Sequence, residues 1–336
     1  MDEYLAALDA ELRALVVSPG PVYDRYYGMF RYHLGWTDAA FHETRSETGK
    51  RIRPLLCLVS CEAAGGDWRR ALPLAAAIEL VHNFSLIHDD IEDTSDERRG
   101  RPTVWKLWGL AHGLNAGDGM FMLARLVIDR MPQQGLPTDI CTSVNVEFDA
   151  TTLALCNGQF LDLSFESRLD VTLAEYMQMI RGKTAALIST ATRLGGMLGT
   201  QDRRVIDAFA RFGDNIGLAF QMTDDILGIW GDPNLTGKSA ATDILSKKKS
   251  LPVVAGLCDP EYGPALAQIY AKPRLTETDV PRVLELLDKA HAHEFSQAEA
   301  DKYRTAARTA LGEARVENKA IDTLRTIADL MTRRAK

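Results

Sequence analysis

The stretch from Ile78 to Thr103, IELVHNFSLIHDDIEDTSDERRGRPT, joins an apolar helical pattern to a cluster of carboxylates and then to three arginines. Its apolar residues recur at helical spacing, so the pattern predicts a long helix that ends near Asp89, Asp90 and Asp93. The C-terminal end of a helix carries partial negative charge, and each carboxylate there costs a few tenths to about 1 kcal/mol. We therefore expect this helix end to bind something positive.

Spacing and residue type indicate which positive group this is. Asp89 and Asp93 are four residues apart and share a helix face, whereas Asp90 lies about 100° around the helix. Their oxygens suit a hard cation such as Mg²⁺, which keeps waters and takes further ligands from substrate phosphates. Three arginines with forked donors for phosphate oxygens follow: Arg98, Arg99 and Arg101. An exposed, charge-balanced helix end is the alternative for this stretch alone.

A second acidic cluster favours the metal interpretation. Residues 202–230 form another apolar helical pattern, and Asp224 and Asp225 fall late in it, on one face with Gln221 and Gly228. Lone cations occur elsewhere in the chain, at Lys50, Arg53, Lys183, Lys238 and Lys247. If the two helices face one cavity, the carboxylates would hold metal ions and the cations would bind the remaining phosphate oxygens. A diphosphate is then the expected leaving group, with an apolar cavity around the organic fragment.

The composition favours a globular all-α protein. The 336 residues carry a formal charge of −7 at pH 7, and 46% of them are hydrophobic. Helical patterns follow one another without alternating β-branched runs, and no linker divides them. We therefore predict one all-α domain over residues 1–336. The negative charge disfavours nucleic acid as a partner.

Three further features predict a cytoplasmic protein. No apolar stretch approaches the length of a membrane span, so we expect no integral membrane segment. The opening residues MDEYLAALDAEL are acidic and contain no cationic leader, which argues against secretion. The five cysteines are scattered and form no CxxC pair, so neither a disulfide framework nor a zinc site is expected.

Helix boundaries follow from the same patterns. The segment Asn115–Gly119 contains two glycines and predicts a break between helices at 104–114 and 118–130. The charged, Ala-rich tail predicts three helices, at 278–295, 298–313 and 318–333.

The motifs together resemble the trans-isoprenyl diphosphate synthase family, also called polyprenyl synthetases. The resemblance is carried, in family order, by GKRIRP (49–54), HNFSLIHDDIED (82–93), DERRGRPT (96–103), NAGD (115–118), GQFLD (158–162), RGKTA (181–185), FQMTDD (220–225), TGK (236–238) and KKKSLP (247–252). A series of this length is far more specific than a lone DDxxD motif. It implies a bundle of long helices around a deep central cavity, forming a homodimer.

The resemblance also implies an activity and assigns roles to residues. The enzyme would be a Mg²⁺-dependent head-to-tail prenyltransferase that condenses isopentenyl diphosphate with an allylic diphosphate. The metal ligands, for three Mg²⁺ ions, would be Asp89, Asp90, Asp93, Asp224 and Asp225. The residues touching the allylic substrate or ordering the closing loop would be Arg98, Lys183, Gln221, Lys238 and Lys247. The isopentenyl diphosphate pocket would contain Lys50, Arg53, His82 and Arg99.

Two further roles are implied near the reacting carbon. Thr184 and the carbonyl of Lys183 resemble the groups that face the allylic cation. Asp162 resembles an outer partner of the metal site.

One position departs from the family pattern. The second motif usually reads DDxxD, and here Gly228 stands at the third acidic position. Asp232 follows one turn later between Gly231 and Pro233, and we do not expect it to replace that carboxylate. We expect weaker metal binding or loop closure. A terpene synthase that ionises an allylic diphosphate without condensation is the main alternative, and a non-catalytic partner subunit is another.

The residues before the first motif indicate product length. On an ideal helix, Ser85 and His82 lie almost directly under Asp89, with Ile78 one turn below, so the allylic tail should grow past them. Phe84, an aromatic five residues before the motif, and the small Ser85 resemble enzymes that make the twenty-carbon geranylgeranyl diphosphate. Farnesyl diphosphate is the alternative product, and ordinary core packing is the alternative role for Phe84.

Overall fold

The computed structural model describes residues 1–44, 46, 49–231 and 242–332 of the chain. Helices dominate this part, and its strands are limited to one two-residue pair, so the predicted all-α class is confirmed. Contacts divide the chain into two compact units, Met1–Phe148 with Leu194–Gln201, and Asp149–Arg193 with Asp202–Lys336. The single-domain organisation stays a prediction.

The first unit is built from amphipathic helices and one short hairpin. Its elements are α1 (Asp2–Leu15), α2 (Asp24–His33), α3 (Ile52–Ala63), α4 (Leu72–Glu92), β1 (Glu97–Arg98), β2 (Arg101–Pro102), α5 (Val104–Trp108), α6 (Leu110–Asp129) and the first part of α7 (Thr138–Phe165). Short 3₁₀ turns lie at Pro21–Tyr23, Trp68–Ala71 and Met131–Gln134.

Helix α4 is the core of this unit. Pro73 suits the first turn of a helix, and the alanines that follow favour helix and leave room for neighbours. The residues from Leu74 to Val81 are almost completely buried, with α3 and α6 packed against the helix. The middle of α4 therefore lies in the core of the unit. Its last turn, which carries the first carboxylate cluster, is partly exposed.

The expectation that no apolar stretch approaches the length of a membrane span is wrong for one segment, Trp68–Glu92. Its 25 residues include an 18-residue window of mean hydropathy 1.3, which is apolar and long enough to cross a membrane. Isolated polar residues interrupt the apolar run in the sequence but barely lower its average. Of that window, 72% is buried inside the protein, as in the core helix of a globular unit.

The predicted break at Asn115–Gly119 is wrong, because α6 runs through it without interruption. Its glycines serve helix packing instead. A Cβ placed on Gly117 would lie 2.2 Å from Nε2 of His88 on α4. The glycine lets α6 approach α4, and nothing in the sequence alone distinguishes that use from a turn.

The second unit contains the remaining helices. They are the rest of α7, α8 (Leu173–Ile180), a π-helical segment (Arg181–Ala185), α9 (Ala186–Gly199, whose residues from Leu194 onward belong to the first unit), α10 (Arg203–Trp230), α11 (Thr242–Leu245), α12 (Leu251–Leu257), α13 (Gly263–Tyr270), α14 (Val280–Lys289), α15 (Ala292–Glu313) and α16 (Lys319–Thr332). The tail break predicted near 296 lies instead at His291, which has φ 52°.

Side-chain caps lie at the start of two helices of the second unit, α8 and α10. Thr172 and Glu175 form a reciprocal capping box at the start of α8, and Asp202 accepts the backbone N–H of Arg204 at the start of α10. Helix α10 packs along α15 and against the π-helical segment, with Leu218 and Met222 in the core. These contacts orient the face of α10 that carries the second carboxylate pair.

The π-helical segment crosses α7 at a pair of glycines. A Cβ on Gly158 would lie 2.1 Å from the backbone N of Lys183, and one on Gly182 would lie 2.6 Å from O of Ala154. Only glycine at both positions permits this approach of two backbones. A π-helical turn is a rare departure from α-helix that often occurs at functional sites.

We predict that Gly158→Ala destabilises the protein by about 1–3 kcal/mol, because the backbones must separate to admit the methyl group. Guanidinium unfolding measures this change. Gly312→Ala is the matched control, since within the described residues no non-local atom lies within 4 Å of its added Cβ. That control should be neutral or stabilising by up to about 1 kcal/mol. Equal effects of the two substitutions would contradict the close crossing.

Candidate active site

The first carboxylate cluster lies at the C-terminal end of α4, as the sequence predicts. Asp90 is 2% exposed, and its Oδ1 accepts a hydrogen bond from Nε of Arg98 at 2.7 Å. Nη2 of the same guanidinium lies 3.3 Å from Oδ2 of Asp89. Burial raises the pKa of Asp90 to about 6, although the charge of Arg98 opposes that rise. Asp89 is partly exposed and Asp93 is exposed, so these two carboxylates face solution.

The β1–β2 hairpin brings Arg98 to this cluster. Its two turn residues, Arg99 and Gly100, have φ of 53° and 68°. Positive φ at both central positions is what a two-residue type I′ turn requires, and glycine adopts it without steric cost. Sequence reasoning did not identify this hairpin, because its strands are two residues long and polar.

Arg101 stabilises the fold, which corrects the interpretation that all three arginines face phosphate. Its Nη2 donates to O of Thr37 at 2.6 Å, and its Nη1 donates to O of Tyr32 at 3.1 Å. The guanidinium carbon also lies 4.0 Å from the centroid of the Tyr32 ring. These contacts attach the hairpin to the C-terminal end of α2, so Arg101 positions its neighbours.

A buried basic group surrounds Glu79 on α4. Nη1 of Arg53 lies 3.3 Å from Nε2 of His82, which the resemblance assigns to the same pocket. Glu79 is 3% exposed and its Oε1 accepts from Nδ2 of Asn83 at 2.9 Å. Burial raises the pKa of Glu79, while the hydrogen bond from Asn83 and the charges of Arg51, Arg53 and Arg99 act against that rise. Nε of Arg53 is buried and has no hydrogen-bond partner among the described residues, so the group retains a donor for an anion.

Lys50 and Arg99 lie at the edge of this basic group. Lys50 is exposed just before α3, and the preceding Gly49 has φ 74°. A Cβ on Gly49 would lie 2.8 Å from Nη2 of Arg99, so the glycine admits the guanidinium. Burial lowers the pKa of Arg53 to about 10 and also lowers that of Arg99. Both guanidinium groups remain charged at neutral pH.

The face of α4 below Asp89 is partly accessible. Ser85 is partly exposed, and its Oγ donates to O of His82 at 2.8 Å. Phe84 is buried, with its ring centroid 5.1 Å from that of Phe121. Ile78 has no exposed surface and belongs to the core, and the passage of a tail beside it stays a prediction.

The second carboxylate pair on α10 also contains one buried and one accessible member. Asp225 is 1% exposed, whereas Asp224 is partly exposed. The buried carboxylate accepts hydrogen bonds at 2.7–2.8 Å from the Tyr176 hydroxyl, Nε2 of Gln221 and the backbone N of Leu251. Burial raises the pKa of Asp225 despite the opposing charge of Lys248.

The three consecutive lysines have different environments. Nζ of Lys248 lies 3.6 Å from Oδ1 of Asp225, although sequence reasoning selected Lys247 for this region. Lys247 instead donates to O of Lys272 at 2.7 Å. Lys249 is 2% exposed, and burial lowers its pKa to about 8. Lys247 has φ 57°, and this left-handed residue redirects the side chains that follow.

Lys183 and Thr184 project from the π-helical segment toward polar partners in the second unit. Nζ of Lys183 lies 2.5 Å from Oδ2 of Asp162 on α7. Oγ1 of Thr184 donates to Oε1 of Gln221 at 2.7 Å, and the same amide donates to Asp225. A continuous hydrogen-bond chain thus joins Thr184 to the buried carboxylate. Lys238 and Asp232 lie outside the described residues.

The donor set at each cluster suits magnesium. Mg²⁺ usually binds one or two carboxylates and takes its other ligands from waters and substrate phosphates, so it needs no preformed protein cage. Within residues 1–44, 46, 49–231 and 242–332, no three acidic, histidine or cysteine side chains form such a cage. Oδ2 of Asp90 is buried and accepts no hydrogen bond from the described part of the chain, which leaves one carboxylate oxygen for a cation.

A family model described as polyprenyl synthetase matches residues 35–287, which include both carboxylate clusters. The chain belongs to the polyprenyl synthetase family. It is 40% identical over 290 residues to geranylgeranyl diphosphate synthase of Mycobacterium tuberculosis, covering 85% of this chain and 81% of the relative. It is 40% identical over 284 residues to (2E,6E)-farnesyl diphosphate synthase of Mycobacterium bovis, covering 82% of this chain and 76% of that relative.

Solved structures agree with this assignment. A crystal structure of polyprenyl synthetase from Streptomyces coelicolor A3(2) has 34% sequence identity and a TM-score of 0.89, and the match covers 98% of both chains. The family, the isoprenoid synthase fold and the prenyltransferase class predicted from the motifs are therefore confirmed.

The partly buried His82 of this polyprenyl synthetase should make its stability depend on pH. Burial and then the charges of nearby arginines hold the pKa of His82 well below 6.5. Below pH 6.5 the unfolded chain therefore binds a proton that the folded protein does not, and stability falls as pH falls. From pH 7.0 to 5.5 this histidine should account for on the order of 1 kcal/mol of the loss.

We therefore predict that His82→Gln loses less stability than wild type over this pH range, measured by denaturant unfolding at each pH. His112→Gln, at an exposed histidine, is the control and should follow wild type. A His82→Gln curve parallel to that of wild type would show that this imidazole is protonated in the folded state.

Proposed function

We propose that this polyprenyl synthetase condenses isopentenyl diphosphate with an allylic diphosphate and releases geranylgeranyl diphosphate. The observation that carries the proposal is the family match over residues 35–287, within which each of two helix ends bears an accessible carboxylate beside a buried, cation-paired one. Geranylgeranyl and farnesyl diphosphate synthases are both among the relatives, so farnesyl diphosphate is the alternative product.

We assign the binding of the two diphosphates to two different groups of polar and basic residues. The buried basic group around Glu79, with its unsatisfied Arg53 donor, supports a role in holding isopentenyl diphosphate, through Lys50, Arg53, His82 and Arg99. The allylic diphosphate is assigned to Arg98, Lys183, Gln221, Lys238 and Lys247. The position of Lys248 beside Asp225 adds that lysine to this second group.

Magnesium, when bound, would supply the positive charge that stabilises the departing diphosphate. We propose that three ions are held by Asp89, Asp90, Asp93, Asp224 and Asp225. Asp89 and Asp224 are the partly exposed members of their pairs and would provide direct ligands. Asp225 would orient and charge its site from within, because protein donors already occupy both of its oxygens. Asp90 would add one ligand through Oδ2, since Arg98 occupies its Oδ1.

The proposed reaction needs no oxidant or reductant, because electron pairs move only between the two substrates. The allylic carbon–oxygen bond breaks, and its electron pair leaves on the diphosphate. The isopentenyl double bond then attacks the allylic cation, forming the new carbon–carbon bond, and the proton lost from the adjacent carbon goes to the departing diphosphate. The oxygen dipole of Thr184, oriented by its hydrogen bond to Gln221, and the carbonyl of Lys183 are assigned to stabilise the cation.

We further propose a cytoplasmic homodimer. Three large apolar residues recur every seven positions on α7: Val146, Leu153 and Phe160. Their exposed fractions are 64%, 62% and 69%. Large apolar side chains in one exposed stripe are typical of an interface, which supports a second copy of the chain as the partner.

The activity is tested with labelled isopentenyl diphosphate, MgCl₂ and allylic primers of five, ten and fifteen carbons. We expect incorporation of label into longer diphosphates and its loss on chelation of magnesium. Asp89→Asn and Asp224→Asn should each lower kcat by about 10²–10³-fold. Asp329→Asn, at a surface carboxylate paired with Arg308, is the control and should retain activity. A hydrocarbon or alcohol without incorporated label would favour a terpene synthase, and no turnover by the pure chain would favour a partner subunit.

Product length is tested at Ser85, which lies one turn below Asp89 on α4. Ser85→Phe should shift the product from twenty to fifteen or ten carbons, because the larger side chain blocks the growing tail. Ser85→Ala keeps the space and should preserve the wild-type product. Mass analysis of the dephosphorylated products measures the distribution. An unchanged distribution in Ser85→Phe would show that the tail takes another path.

A further inference from the structure

Gly228 stands where the second aspartate motif usually carries its third carboxylate, one turn after Asp224 on α10. A Cβ built on Gly228 would lie 2.3 Å from Oδ2 and 2.5 Å from Cγ of Asp243. The Asp243 carboxylate therefore occupies the place where a side chain at position 228 would begin. Any residue larger than glycine must displace it.

The segment that carries Asp243 is folded back by its own backbone. Asp243 belongs to the one-turn helix α11, and its carbonyl accepts the backbone N–H of Lys248 at 3.0 Å. The hydroxyl of Ser246 also donates to this carbonyl, at 3.3 Å. The turn thus brings a carboxylate and an ammonium to the same face of α10.

One ammonium group lies between the two carboxylates. Oδ2 of Asp243 is 3.8 Å from Nζ of Lys248, and that Nζ is 3.6 Å from Oδ1 of Asp225. Burial alone would lower the pKa of Lys248, but nearby carboxylates outweigh burial and raise it. These carboxylates are Asp225, Asp243, Asp224 and Asp162. Asp243 therefore places a second carboxylate, besides that of Asp225, next to the ammonium of Lys248.

We propose that Asp243 takes the place of the third carboxylate of the second aspartate motif, in the space that glycine at position 228 provides. It acts as a positioning residue, through Lys248 and Asp225, on the magnesium–diphosphate complex. The inference rests on the proposed function for its purpose, because only an enzyme that binds a magnesium diphosphate needs this charge. It replaces the expectation that Gly228 weakens metal binding, since the carboxylate is supplied from another part of the chain.

The proposal is tested by exchanging the two positions. Asp243→Ala should raise the Mg²⁺ concentration for half-maximal activity by about tenfold, the scale of loss seen when an outer partner of a metal site is removed. Gly228→Asp alone should lower the melting temperature, because its side chain meets Asp243. The double variant Gly228→Asp/Asp243→Ala should restore the Mg²⁺ requirement to within about threefold of wild type. Its matched control, Gly228→Asn/Asp243→Ala, has the same shape without the charge and should restore the melting temperature only.

A second readout needs no turnover. MgCl₂ with sodium diphosphate should raise the melting temperature of wild type and of Gly228→Asp/Asp243→Ala, called the Asp exchange. The rise should be smaller in Asp243→Ala and in Gly228→Asn/Asp243→Ala, called the Asn control. If Asp243→Ala fails to fold, Asp243→Asn with and without Gly228→Asp makes the same comparison. An Asp exchange no better than its Asn control would overturn the proposal, as would an unchanged Mg²⁺ requirement in Asp243→Ala.

These results are separable from the test of the proposed function. A wild-type chain that incorporates no isopentenyl diphosphate contradicts the condensation, yet its stabilisation by magnesium and diphosphate still reports on Asp243. A wild-type chain that these ions do not stabilise would overturn the inference about Asp243, whatever product the enzyme makes.

Discussion

A buried carboxylate beside a cation, near the C-terminal end of a long helix, is the interaction on which each of the two carboxylate clusters depends. Asp90 pairs with Arg98 in the first unit, and Asp225 lies beside Lys248 in the second. Burying an isolated carboxylate costs several kcal/mol, and removing one member of a buried pair typically costs about 3–5 kcal/mol. The helix dipole adds to that cost at this end. Each cation therefore stabilises the helix end and the segment that carries the cation.

The adjacent aspartates have different roles because consecutive helical residues point about 100° apart. In each pair the second member faces the protein interior and accepts hydrogen bonds from protein donors, while the first keeps an accessible surface. The buried Asp225 uses both of its oxygens within the protein, whereas Asp90 keeps one oxygen for a cation. Asp89 and Asp224 each keep an accessible surface at the end of their own helix.

Sequence reasoning could predict the helices and the acidic residues because both are local signals. The apolar spacing of α4 and α10, and the carboxylates at their ends, need no knowledge of neighbouring elements. The contacts between distant segments were different. Lys248 and not Lys247 faces Asp225, because a left-handed residue redirects the chain, and no propensity distinguishes one lysine of three. The glycines at 115–119 serve helix packing, which resembles a turn signal when the partner helix is unknown.

Gly228 shows most clearly why a motif can be incomplete in sequence and complete in space. The usual spacing places three carboxylates on one helix, where all of them meet the unfavourable end of the same dipole. In this chain the third carboxylate comes from α11, and its backbone turn also delivers the lysine that offsets it. A carboxylate on a separate element can approach the helix only if the facing residue has no side chain. The glycine and the distant aspartate are therefore one structural feature, and neither residue can be interpreted from its own segment alone.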